Sequence, residues 1–243
     1  MKSNQLLIVS ILSVCLIISV IIVSEAIKNR NASNNAIVVT GMAERNFESD
    51  LIVWKSQFTV KDMNLTTAYA ELKKQSESTR KFLQSKGIVQ SEMTFSAAEI
   101  TKEYVYINSN GNTISNFDGY RLTQQIRISS ADVQKVESIS REVTELINSG
   151  IEITSLAPEY YYTKLSDLKI AMLANAAQDG YVRAKTIAEN GEGKLGKMIN
   201  SAMGVFQIVA QNSSEDYSWG GTFNTSSKKK TATITVKMQY QVK

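Results

Sequence analysis

Alternation of apolar and polar residues is the first regularity in this chain. From Leu51 to Asp62, Ile52, Trp54, Phe58 and Val60 share one side and Lys55, Gln57 and Lys61 the other. Tyr120, Leu122, Ile126 and Ile128 alternate in the same way with Arg121, Thr123, Gln125 and Arg127. Thr231 to Val242 alternates most cleanly, with Ala232, Ile234, Val236, Met238, Tyr240 and Val242 on one face. A period of two predicts half-buried strands. Ile37 to Thr40 reads as a first strand ending at Gly41, and residues 41–50 as a loose hairpin into the next. Gln90 to Ile107, an Asn-Ser-Gly turn and the strand to about Ser129 form a long hairpin. Ile151 to Tyr162 and Gly196 to Ala210 read as further strands, the former edged or broken at Pro158.

Helical spacing separates these strands. Leu65, Ala68, Leu72, Phe82 and Leu83 recur on one stripe, with Asn64 placed to cap and Gly87 to stop. Val133, Val136, Ile139, Val143, Leu146 and Ile147 make a second stripe, capped by Ser130 and ended before Gly150. Ser166 to Asn190 is a third helix, rich in alanine, which suits close approach to a sheet. The order β-β-α-β-β-α-β-α-β-β predicts an α+β domain, a mainly antiparallel sheet with helices packed on one face.

Ahead of this domain lies an uninterrupted apolar run, Leu6 to Val23. As a helix it would reach about 27 Å, close to the roughly 30 Å of a hydrocarbon core. It reads as an uncleaved signal-anchor, because signal-peptide apolar regions span only about 7–15 residues. A cleaved signal peptide is the alternative, with small residues around Ser24-Glu25-Ala26, and a lipoprotein signal at Cys15 is disfavoured by bulky Val14. Each reading places the remainder outside the cytoplasm, periplasmic or at the cell surface. Residues 1–27 are therefore expected to be the signal-anchor, 28–36 a polar tether and 37–243 the folded domain.

Composition narrows the chemistry. The chain has no histidine, and its single cysteine, Cys15, sits in the apolar run. That removes the Ser-His-Asp and Cys-His catalytic arrangements, the usual zinc ligand sets and any intramolecular disulfide. A non-enzymatic protein without cofactor or metal is expected; carboxylate or lysine catalysis is the least favoured alternative. The net charge of +4 is spread along the chain, which argues against a nucleic-acid partner.

Several motifs need weighing. Gly191-Glu192-Gly193-Lys194-Leu195-Gly196 satisfies G-x-G-x-x-G, but a helix precedes it and a strand follows, the reverse of a dinucleotide site, so it reads as a helix stop. Lys228-Lys229-Lys230 is either a contact for anionic lipid or a solvated start to the last strand. Tyr160-Tyr161-Tyr162 reads as core and rim packing rather than a sugar platform, because neighbours on a strand point to opposite faces. Tyr217, Trp219 and Phe223, in a loop rich in Asn, Ser and Gly over 211–227, are the best candidate contact residues, with Lys228, Lys229 and Lys230 beside them.

Four segments resemble the SIMPL-domain family: Val38 to Glu44, ending its strand at a glycine; Leu72 to Ile88; Phe117 to Ile128 with the helix that ends at Asn148 to Ile151; and Ala171 to Ile199. Gly180, in mid-helix, departs from the pattern, as does the long loop before the last strand. The resemblance implies an α+β envelope protein, often self-associating and sometimes tied to stress tolerance, and it supplies no catalytic residues. The expected partners are copies of the same chain or another protein, and the membrane through the N-terminal helix. The alternative is a small-molecule-binding module using a cleft between helices and sheet.

Overall fold

The computed structural model describes residues 13–24, 36–109 and 112–243. Residues 13–24 are helical (α1) and exposed. The rest of the expected anchor, Leu6 to Leu12, and nearly all of the tether lie outside the described residues. Among the described residues no helix is long and apolar enough to cross a membrane.

The domain is α+β, but its strands divide between two antiparallel sheets rather than one. In sheet 1, the last strand β10 (Lys229–Val242) lies at the centre. The first strand β1 (Ala36–Glu48) flanks it on one side, and β8 (Leu195–Met203) and β9 (Gln207–Ala210) lie end to end on the other. Sheet 2 is built on β2 (Leu51–Asp62) and β5 (Asn112–Ser130). β3 (Met93–Phe95) and β4 (Glu99–Ser109) pair with β5, while β6 (Ile153–Ser155) and β7 (Glu159–Tyr161) pair with β2. The expected hairpin of the first two strands does not form. β1 runs on past Gly41 to Glu48 and pairs with β10. Each sheet can then bury its own apolar face under its own helices.

Helix α2 (Leu65–Ser85) and the shorter α3 (Val133–Glu142) cover sheet 2, and α4 (Leu165–Asn190) covers sheet 1. Asn64 caps α2 through its Oδ1, which accepts from Thr66 and Thr67 N–H. Asp132, not Ser130, caps α3, accepting from Lys135 N–H at 3.1 Å. The second predicted helix tightens into a 3₁₀ run over Val143–Ser149 and ends at Gly150 in the left-handed region. Pro158 falls in the break between β6 and β7, and Gly204 in the break between β8 and β9.

Two separate cores result. Ile52, Trp54, Phe58, Leu122, Ile126 and Ile128 meet Leu72, Leu83, Val136 and Ile139 in one. Ile234, Val236, Met238 and Tyr240 meet Leu168, Met172, Ala176 and Ala184 in the other. The mid-helix Gly180 has its reason here. A Cβ on Gly180 would come within 2.0 Å of Met238 Cε, and a Cβ on Gly41 within 2.0 Å of the Ala176 carbonyl. With neither Cβ present, α4 rests on the backbone of β1. There Asp179 accepts the Met42 N–H at 2.9 Å and the Arg183 Nε–H at 2.8 Å, and both bonds hold its carboxyl below the ordinary range, Met42 most.

Candidate binding surfaces

The sequence-predicted contact residues do not form one cluster. The loop over residues 211–228 is fastened to β9 by Gln207, which uses both ends of its amide. Its Nε2 donates to the Ser218 carbonyl at 2.7 Å, and its Oε1 accepts from Thr222 N–H at 2.8 Å. Ile208 N–H donates to the Thr222 carbonyl and Asn224 N–H to the Ile208 carbonyl. So anchored, the loop lays Tyr217 and Trp219 over the face of sheet 1 that α4 does not cover. They line a cleft of about 400 Å³ with Gly204, Val205, Gln207, Ser218, Thr233, Ile234 and Thr235. The Tyr217 hydroxyl lies 3.5 Å from Thr233 Oγ1. Trp219 is fully exposed.

Phe223 belongs elsewhere. Its ring faces Tyr161, with centroids 6.4 Å apart, and the Lys230 ammonium, 5.6 Å from its centroid.

The lysine run separates by alternation along the strand. Lys229 is exposed. Lys228 pairs with Glu48 at 3.1 Å and Glu137 at 3.8 Å. Lys230 is 0% exposed, which corrects the expectation of a solvated or lipid-facing run at this position. Its ammonium donates to the carbonyls of Tyr160, at 2.9 Å, and Asn224. Burial pushes its pKa down to about 8. A desolvated lysine is the feature an amine nucleophile would need. Here the amine is covered, and it joins sheet 1, sheet 2 and the loop.

The tyrosine run works at the same seam. Tyr160 packs against the sheet 2 core and donates its hydroxyl to Glu137 at 2.9 Å. Tyr162 packs against the sheet 1 core, 4.9 Å from the Phe47 ring. Tyr161 donates to Glu159. The glycine-rich segment 191–196 follows α4 and leads into β8, as its order in the chain implies.

A second surface escaped the sequence reading. β5 pairs with β2 only over Tyr120–Ser130, so the earlier part of β5 and the later part of β4 stand free as a two-stranded arm. The arm is apolar on both faces. Tyr104, opposite Phe117, and Tyr106 occupy one; Val105 and Ile107, opposite Ile114, occupy the other. All of these are exposed, Tyr106 to 69%. The signal was the unbroken apolar stretch Tyr104 to Ile107, which a strand with one solvent face does not need.

The root of the arm is built from charge and a bulge. The register slips between Glu103 and Tyr104, opposite Asp118 and Gly119. Gly119 has φ +111°, and a Cβ there would crowd the Asp62 carbonyl at 2.9 Å. Glu103 pairs with Arg121 and, at 2.9 Å, with Lys61, which also pairs with Asp118. Arg121 first, then Lys61, hold the Glu103 carboxyl down at about 2.

Among the described residues no three His, Cys, Asp or Glu side chains converge as metal ligands. The chain matches the family described as "SIMPL: Protein of unknown function (DUF541)" over residues 37–242. No curated protein matches it.

Proposed function

The chain belongs to the SIMPL (DUF541) family, and from that membership we propose that it is a non-enzymatic envelope protein whose extracytoplasmic domain assembles with copies of itself. The apolar run Leu6 to Val23 would hold it at the membrane unless cleaved. The observation that carries the assembly reading is the arm. A hairpin that leaves its sheet with apolar side chains on both faces keeps Tyr104, Tyr106, Ile107 and Ile114 in water, a cost that contact with another chain removes. Its tip strands also present edges that a second chain can pair with. The missing histidine and the lone, N-terminal cysteine support a non-catalytic role.

Light scattering on the purified full-length chain tests this reading. A defined oligomer is expected, with Tyr106→Ser/Ile107→Ser shifting it towards monomer. A strict monomer at high concentration, or an oligomer indifferent to those substitutions, would sink it. A second reading, small-molecule binding between helix and sheet, is favoured by a groove of about 480 Å³ where Val182, Arg183, Thr186 and Ile187 of α4 face Val38, Val39 and Thr40 of β1. Its test is a ligand-dependent rise in melting temperature.

A further inference from the structure

We infer that the cleft beneath Tyr217 and Trp219 is a binding site for a neutral saccharide. Four observations converge on that chemistry. Trp219 presents a fully exposed indole from a loop whose position Gln207 fixes on both sides, so the ring is displayed on an anchored support. The floor below sets two hydroxyls in an otherwise apolar surface: Thr233 and Thr235 lie on the uncovered face of β10 beside Val205 and Ile234, and Thr233 Oγ1 makes the long contact to Tyr217. The lining itself carries no charged side chain, and Glu44, opposite Thr233, and Lys237 lie beyond it on the same face with opposite signs, so no net charge selects a phosphate, a carboxylate or a cation. Its volume, about 400 Å³, falls within the range of roughly 300–1,000 Å³ typical of small-ligand sites.

A sugar ring matches this arrangement on both sides. Its C–H face stacks on indole and phenol rings, and its hydroxyls exchange hydrogen bonds with Tyr217, Thr233 and Thr235, each able to donate and accept. The arm belongs to sheet 2, so this site stands independently of the assembly reading.

The molecule contains its own reporter. Of its two tryptophans, Trp54 is fully buried and donates to Ser155 Oγ at 3.0 Å, whereas Trp219 is open to solvent. Acrylamide quenching of the full-length chain therefore reads Trp219 almost alone. The probes are chitotetraose, cellotetraose and maltotetraose, in a detergent without a sugar headgroup. At least one should shield Trp219 saturably. Trp219→Ala, which removes the reporter and is therefore read by titration calorimetry, should abolish binding, and Thr235→Val, which keeps the side-chain shape, should weaken it at least fivefold. Absence of shielding by all three at about 50 mM would overturn the proposal. So would shielding that rises with protein concentration in the absence of sugar, because a second copy would then be covering the ring.

Discussion

Lys230 should make this domain more stable as the pH rises from 8 towards 10, against the usual alkaline trend. Its ammonium is buried at the seam of the two sheets, and desolvation lowers its pKa from 10.5 to about 8. Below pH 8 the lysine is charged in both folded and unfolded chains, and the native state carries the full cost of burying it. Between 8 and 10.5 the folded protein releases the proton first. The unfolded chain then binds more protons, so unfolding free energy grows with pH. At about 1.36 kcal/mol per pKa unit the whole effect is roughly 3–4 kcal/mol. Relaxation and water penetration around the buried amine discount that to roughly 2 kcal/mol. Tyr160 acts in the opposite sense. Burial, then Glu137, raise its pKa to about 12, so the stability it contributes is intact below pH 10 and lost between 10 and 12. Denaturant unfolding at pH 7, 8, 9 and 10, followed by Trp54 fluorescence, should therefore show a rise that Lys230→Met lacks, whatever the offset between the two proteins. Parallel profiles for wild type and variant, within about 0.5 kcal/mol by linear extrapolation, would refute the reasoning.

Two further outcomes follow from the packing and the arm. Gly41→Ala places a Cβ against the Ala176 carbonyl, a backbone atom that cannot swing aside, and should destabilise by about 1–3 kcal/mol or more through overpacking; an unchanged denaturation midpoint would mean that α4 does not rest on β1 as described. Glu103, held down at about 2, contributes its ion pairs fully above the ordinary carboxylate range and loses them as pH falls from about 4.5 towards 2. Protection factors of arm amides, corrected for the intrinsic exchange rate at each pH, should fall over that window in the wild type and be low already at neutral pH in Glu103→Gln, whereas equal protection in both would show that the bulge alone holds the root.

The local elements were legible because they depend on near neighbours. Period-two alternation marked β2, β5 and β10, the Asn64 cap and Gly87 bounded α2, and the helix-before-glycine order disposed of the 191–196 motif. Residues whose roles come from distant segments were not legible. Gly41 looked like a strand end because its partner across the contact, Gly180, lies on a helix far along the chain. Gly180 itself looked like a flaw in that helix.

The amino-acid sequence by itself determined the α+β class, the family and the poverty of catalytic groups, since composition, periodicity and order along the chain are local properties. Only the tertiary structure decided that the strands form two sheets, because pairing depends on which apolar faces can be covered together. It also decided that Lys230 is buried while Lys229 is solvated, and that Tyr217 and Trp219 share a cleft that Phe223 does not enter. Both outcomes follow from strand alternation combined with which face a helix or loop happens to cover, and that covering is set by residues far away in sequence.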